Sequence, residues 1–233
     1  MIAAMSKRMT EAYKLVEAGK TYTLKEAVDL LKKAPGPKFD ETINVAMSFD
    51  VDPKQSDQMV RGTVSLPHGT GKAIRVLVFA KGDAERSAKE AGADVVGSED
   101  LIPKIEGGWM EFDAVIATPD LMREIAKLGR VLGPRGLMPS PKAGTVTTDV
   151  GRAVKEVKRG KVEFRMDKQA DIHLGVGKKS FPAEAIEANL KALMEAVWRA
   201  KPASAKGKYL RSVSVATSMG PGIKLDPSES RPE

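Results

Sequence analysis

Residues 73–80, AIRVLVFA, form a nearly continuous apolar run that only Arg75 interrupts. The amphipathic stretch DAERSAKEAGA follows at 83–93, and the alternation continues with DVV at 94–96, a helical segment at 99–108 and FDAVIATP at 112–119. Near-continuous apolar strands that alternate with helices are typical of a parallel sheet covered on both faces. Residues 69–160, which close with a predicted helix at 147–160, are therefore predicted to form a Rossmann-like α/β domain.

The segments on either side of this block show the pattern of half-buried strands instead. From Thr42 to Val51 every second residue is apolar, and the same alternation returns at 162–166 and 172–176. Helices are predicted at 6–18, 24–34 and 182–200. Because the early and late parts share one pattern, we predict that residues 1–68 and 161–233 form a single discontinuous α+β domain. It is predicted to be a sheet with helices packed on one face, interrupted by the inserted domain.

The chain crosses twice between the two predicted domains, near PHGTG at 67–71 and near KRGKV at 158–162. Glycine adopts backbone conformations that other residues avoid, so it suits positions that must absorb rotation. Gly69, Gly71 and Gly160 are therefore predicted to act as a hinge.

The composition excludes several classes of function. The 233 residues include no cysteine and only two histidines, His68 and His173, so disulfides, thiolate chemistry and a His- or Cys-based metal site are not expected. The formal net charge of +7 favours a polyanionic partner such as nucleic acid, although a solvated basic surface gives the same total. The start of the chain lacks the apolar core of a signal peptide, and no apolar run of about 18 residues occurs. We therefore expect a cytoplasmic protein, monomeric when free, with no cofactor and no contact with a membrane.

Two glycine-rich stretches are candidates for contact with phosphate groups. PHGTGK at 67–72 fails the nucleotide motif, because Leu66 and Ala73 stand where glycine and Ser or Thr are required. LGRVLGPRGLMPSPKAGTV at 128–146 carries Arg130, Arg135 and Lys142. This stretch is either an ordinary ordered surface loop or a preformed basic platform for a ribose-phosphate backbone, and both interpretations stay open.

No pair of carboxylates, nucleophile with a base, or metal cluster stands out, so no enzymatic activity is predicted. Two alternatives remain: a nucleotide-using enzyme on the parallel sheet and a non-catalytic protein-interaction module. Salt-dependent affinity for structured RNA separates both of them from an RNA-binding protein.

Four motifs, in order along nearly the whole chain, resemble those of the L1 family of bacterial large-subunit ribosomal proteins. They are KFDETINV at 38–45, SDQMVRGTVSLPHGTGK at 56–72, VLGPRGLMPSPKAGTVT at 131–147 and TSMGPG at 217–222. The resemblance implies a structural protein that binds a folded region of large-subunit rRNA and forms a mobile stalk beside the tRNA exit site. It also implies help in releasing deacylated tRNA and translational repression through the messenger of the protein's own operon.

The resemblance also implies which residues contact RNA. The rRNA contacts are expected on the discontinuous domain, at Lys38, Phe39, Glu41 and Thr42 of KFDET, at Thr217, Ser218, Met219 and Gly220 of TSMG, and in second rank at His173 and Lys178. Arg135 and Lys142 of the inserted domain are candidates for a secondary contact with RNA or tRNA. The chain departs from the usual family pattern at Asn44, where acidic residues are frequent, and at Met166, where asparagine is usual.

The loop TSMGPG carries no charge, although the chain as a whole is basic. We expect Gly220 to let main-chain groups approach bases and 2′-hydroxyls, with Thr217 and Ser218 forming short hydrogen bonds and Met219 an apolar contact. Basic residues elsewhere then provide the attraction that does not depend on sequence. The tail, residues 223–233, is expected to be disordered.

Overall fold

The computed structural model of this chain describes residues 6–227 except 18, 56, 99 and 206. Its helices are α1 (Lys7–Lys14), α2 (Leu24–Lys33), α3 (Asp83–Glu90), α4 (Leu101–Glu106), α5 (Met122–Ile125), α6 (Gly129–Leu132), α7 (Val150–Lys158) and α8 (Ala183–Arg199). Its strands are β1 (Thr42–Phe49), β2 (Arg61–Ser65), β3 (Val76–Phe79), β4 (Val95–Gly97), β5 (Ala114–Ala117), β6 (Lys161–Arg165), β7 (Asp171–Lys178), β8 (Leu210–Thr217) and β9 (Ile223–Leu225). The described residues divide into two compact units, one up to Gly71 and again from Glu163, the other from Lys72 to Val162.

The first unit is built on an antiparallel sheet with strand order β7-β1-β8-β9. Burial along β1 alternates as predicted, with Ile43, Val45 and Met47 buried and Asn44 exposed. Helices α2 and α8 contact each other and the strands of this sheet. Their buried stripes are Leu24, Ala27, Val28 and Leu31 on α2 and Ile186, Leu190, Leu193 and Val197 on α8.

The second unit contains a parallel sheet with strand order β4-β3-β5, which confirms the parallel pairing predicted from residues 73–80. All four residues of β3 are buried. Leu77 and Phe79 join one apolar cluster with α4 and the segment before Gly133, while Val76 and Val78 join a second cluster with α3 and α7. Alternate residues of β3 pack into these two clusters, so neither face of the strand meets water. This burial explains why no polar residue interrupts the strand.

The largest differences from the sequence-based predictions lie in α1 and in the tail. Helix α1 ends at Lys14, four residues before the predicted end, and Ala18 lies outside the described residues. The tail does not begin as a disordered segment, because β9 pairs with β8 and Leu225 also forms a bridge with Tyr22. Residues 228–233 of the predicted disordered tail lie outside the described residues.

The predicted hinge glycines have positive φ angles, 66° at Gly69, 72° at Gly71 and 106° at Gly160. A Cβ on Gly71 would lie 2.7 Å from Lys178 Cγ and 2.9 Å from the ring of Phe181. This first crossing is thus packed against the first unit as far as Gly71, and the second unit begins at the next residue. Rotation at Gly69, Gly71 and Gly160 stays a prediction.

Candidate nucleic-acid interface

Three segments far apart in sequence meet at one end of the four-stranded sheet. In the antiparallel register Thr42 lies opposite Lys178 of β7, and the neighbouring Ile43 lies opposite Thr217 of β8. The start of β1, the end of β7 and the loop after β8 are therefore adjacent. The sheet brings together KFDET, the Lys178 turn and TSMG, which the sequence could only name separately.

Thr42 is the centre of the polar contacts at this end. Ser218 Oγ accepts a hydrogen bond from the Thr42 N–H at 3.1 Å and donates to the Thr42 carbonyl at 3.3 Å. Lys178 Nζ donates to Thr42 Oγ1 at 2.9 Å. The hydroxyls and the ammonium group thus occupy fixed positions at the ends of strands, which lowers the entropy lost on binding a ligand.

Glu41 is buried beneath the loop, with 1% of its surface exposed. Its Oε1 accepts the Met219 N–H at 2.9 Å, and its Oε2 lies 3.4 Å from Lys179 Nζ. Lys179 Nζ also donates to the Ala34 carbonyl at 2.6 Å, at the end of α2. A buried carboxylate needs such partners, and these contacts orient it away from an approaching ligand. Glu41 thus supports the loop from below, and its expected direct contact with RNA stays a prediction.

Two large apolar side chains near this end are exposed, Phe39 by 57% and Met219 by 51%. Phe39 lies two residues before Glu41, and Met219 is bound to Glu41 through its main chain. Lys38 and Ser218 are exposed as well. This end of the sheet therefore presents apolar, hydroxyl and cationic groups together, as expected of a surface that binds ribose and bases as well as phosphate.

The loop glycine has an internal role that the sequence did not reveal. The Gly220 N–H donates to the Thr217 carbonyl at 3.2 Å and closes the turn. A Cβ on Gly220 would collide with Thr217 Oγ1, and Thr217 is only 4% exposed. Gly220 is therefore required by the turn itself, and its expected role in close approach to RNA stays a prediction. Thr217, expected as a contact, likewise lies beneath the surface.

His173 and the two atypical positions lie in different environments. His173 is exposed on β7 opposite Ala46, and its ligand atoms lie within 4.8 Å of carboxylate oxygens of Asp167 and Asp171. Asn44 is exposed on β1, whereas Met166 is buried and its N–H donates to the Val60 carbonyl. The departure from the family pattern at Asn44 therefore changes the exposed surface directly, whereas the departure at Met166 changes only internal packing.

The secondary candidates lie in the second unit, on a loop with internal order. The Thr145 hydroxyl accepts the Ser140 N–H at 2.8 Å, and the Leu137 N–H donates to the Leu132 carbonyl. Arg135 and Lys142 are both exposed on this loop. The structure thus shows an ordered basic surface, and its use as an RNA platform stays a prediction.

Comparison with known proteins identifies the family. The model of the Ribosomal protein L1p/L10e family matches residues 30–221. The chain belongs to this family. It is 57% identical over 225 residues, covering 97% of this chain and 95% of the relative, to the large ribosomal subunit protein uL1 of Protochlamydia amoebophila. It is also 57% identical over 221 residues, 95% of this chain and 96% of the relative, to the large ribosomal subunit protein uL1 of Kosmotoga olearia.

The matched range of this L1-family chain includes most of TSMGPG and all of KFDET, so family membership covers both main motifs. It begins after α1 and therefore excludes one contact to the loop, the hydrogen bond from Arg8 Nη2 to the Met219 carbonyl at 3.3 Å. The contacts of Arg8 and Lys179 could not be predicted from the sequence, because no periodicity marks a cation that donates to a distant main-chain carbonyl. Among the described residues, no helix is long and apolar enough to span a bilayer.

Proposed function

We propose that this protein is a structural component of the large ribosomal subunit and binds a folded region of its rRNA through the end of the four-stranded sheet. The observation that carries the proposal is the convergence of Phe39, Thr42, Lys178, Ser218 and Met219 at that end. Membership of the L1 family, with relatives named as large-subunit proteins, supports the identity of the RNA.

The chemistry of this surface suits folded RNA better than a generic polyanion. RNA displays 2′-hydroxyls and base edges in a wide, shallow minor groove, which side-chain hydroxyls and a flexible thioether contact at close range. Lys178 and Lys38 add attraction to phosphate that does not distinguish sequences. Specificity then depends on shape at the loop, and general affinity depends on the basic residues around it.

Further functions follow from the family resemblance and form part of the proposal. The second unit is assigned to a mobile stalk near the tRNA exit site, with Arg135 and Lys142 contacting tRNA or additional rRNA. Release of deacylated tRNA and repression of the protein's own operon messenger are included on the same ground. The protein then acts without catalysis, in the cytoplasm, as part of the ribosome.

The test measures affinity for refolded, protein-free large-subunit rRNA against small-subunit rRNA over a range of salt concentrations. We expect saturable preference for the large-subunit RNA. Met219→Ala should weaken specific binding about tenfold at every salt concentration, on the scale of one good contact. Met59→Ala is the matched control, because Met59 is 40% exposed in the same unit but lies outside the proposed surface.

Replacement of Lys178 by methionine distinguishes contacts to phosphate from shape-dependent contacts at the loop. It removes an ammonium group, so the slope of log affinity against log salt should fall by about 0.7 to 0.9 if Lys178 meets a phosphate. Equal affinity of the wild-type protein for both RNAs, or equal effects of Met219→Ala and Met59→Ala, would contradict the proposal.

A further inference from the structure

The main chain of Met219 is bound at both of its polar groups by side chains from distant parts of the sequence. Its N–H donates to the buried carboxylate of Glu41 at 2.9 Å, and its carbonyl accepts from Arg8 Nη2 at 3.3 Å. Arg8 lies on α1, 211 residues away along the chain. Met219, with its exposed thioether, thus has both of its backbone polar groups bound by side chains.

We propose that Arg8 and Glu41 are positioning residues that together fix the Met219 backbone and so set the direction in which its side chain meets RNA. This inference rests on the proposed function for the consequence in RNA binding, whereas the fixing of the loop is a property of the free protein. Glu41 is itself oriented by Lys179, which joins the carboxylate to the end of α2.

The Arg8 guanidinium group is only partly satisfied by hydrogen bonds. Its Nη1 atom is buried and has no hydrogen-bond partner among the described residues. A buried donor without a partner costs free energy, so the contribution of Arg8 that the structure supports is its hydrogen bond to the Met219 carbonyl.

The contacts from Glu41 and Arg8 together restrict the loop before RNA binds. A loop of six residues with two glycines samples many conformations when it is free, and ordering each residue costs backbone entropy. Fixing Met219 before RNA arrives moves that cost from binding to folding. Loss of either contact should therefore lower specific affinity while the number of phosphate contacts stays the same.

The first measurement is amide hydrogen exchange in the free protein. In Arg8→Met and in Glu41→Ala, exchange at Met219 should rise at least about tenfold, whereas Val215, within β8, should be unchanged. A general loss of stability would raise exchange at both Met219 and Val215, so a rise at Met219 alone reports the loss of positioning. Arg8→Lys, which keeps the charge and one donor, should restore part of the protection.

The second measurement is affinity for refolded large-subunit rRNA against salt. Arg8→Met should weaken binding about tenfold at every salt concentration with an unchanged slope. Arg199→Met is the matched control, because Arg199 is an 81% exposed arginine on α8 of the same unit, paired with Glu195, and should leave the specific affinity unchanged. Arg8→Gln serves as a second variant if Arg8→Met does not fold.

The outcomes separate this inference from the proposed function. If the wild-type protein does not prefer large-subunit rRNA, the proposed function fails, and the exchange measurement alone decides the inference. If the wild type binds as expected but Met219 exchange and affinity are unchanged in Arg8→Met, the inference is overturned. A slope reduced by about 0.7 to 0.9 with normal Met219 exchange also overturns it, because Arg8 would then bind a phosphate itself.

Discussion

Replacement of Asn189 by leucine should destabilise the first unit strongly, because this one amide binds three backbone groups on two other segments of the chain. Asn189 on α8 is completely buried. Its Oδ1 accepts the His68 N–H at 3.0 Å, and its Nδ2 donates to the carbonyls of Gly69 at 2.9 Å and Val176 at 2.7 Å. The register of β7 against β1 passes over Val176, so this carbonyl belongs to an irregular position of the ladder.

The magnitude follows from those three contacts. Each hydrogen bond contributes about 1 kcal/mol net, and a buried backbone group left without a partner costs about 1 to 3 kcal/mol. Val176 is fully buried and bears the full cost, whereas water can reach the partly buried contacts at His68 and Gly69. Leucine has a similar volume and recovers about 1 kcal/mol by apolar burial. We therefore expect a net loss of about 2 to 4 kcal/mol.

Urea unfolding followed by Trp198 fluorescence measures this loss in the relevant unit. Trp198 packs edge-on against Tyr209 in the first unit, with 5.4 Å between the ring centroids. The other tryptophan, Trp109, belongs to the second unit, so a Trp109→Phe background leaves only the signal of the first unit. Glu195→Leu, at an exposed position of the same helix, is the control and should change stability by less than about 0.5 kcal/mol. A loss below about 1 kcal/mol for Asn189→Leu would refute the view that this amide completes an otherwise unsatisfied backbone.

Two further predictions concern the loop and the second unit. Gly220→Ala places a Cβ against Thr217 Oγ1, so it should increase Met219 amide exchange in the free protein even without RNA; unchanged exchange would mean that the turn tolerates the methyl group. In the second unit, hydrogen bonds from Val76 N–H to Asp94 and from Lys72 to Asp113 hold the pKa of each carboxyl below its usual value. Because a lowered folded-state pKa stabilises the ionised form, this stability is present above about pH 5 and is lost as pH falls below about 4. Unfolding followed by Trp109 in a Trp198→Phe background should show a weaker acid dependence in Asp94→Asn, and an identical dependence would contradict the assignment.

Hydrophobic periodicity predicted the elements that form the two cores. The alternation from Thr42 to Val51 predicted β1, and the apolar run at 73–80 predicted a strand buried on both faces, because side-chain direction alone determines those patterns. Strand β9 could not be predicted in this way. Its three residues are too few to show a period, and they are ordered by pairing with β8 and by the bridge between Leu225 and Tyr22.

The candidate surface was only partly accessible to sequence reasoning. Phe39 and Met219 are exposed, as a contact role requires, whereas Glu41 and Thr217 are buried beneath them. Nothing in KFDET marks its glutamate as internal, because burial of a carboxylate depends on partners supplied by Lys179 and by the loop backbone. Such partners are set by the register of the sheet, which depends on the whole fold.

The absence of charge in TSMGPG follows from what lies beneath it. Positions 218 and 220 flank Met219, whose N–H is accepted by Oε1 of the buried Glu41 carboxylate. An ion pair with a buried carboxylate is stronger than a hydrogen bond from a neutral amide, so a cation in the loop would compete for Glu41 and release the Met219 backbone. A neutral loop avoids this competition, and the cation at this surface comes from β7 instead, as Lys178. Introducing Ser218→Lys should therefore increase exchange at the Met219 amide, although the added charge by itself favours RNA.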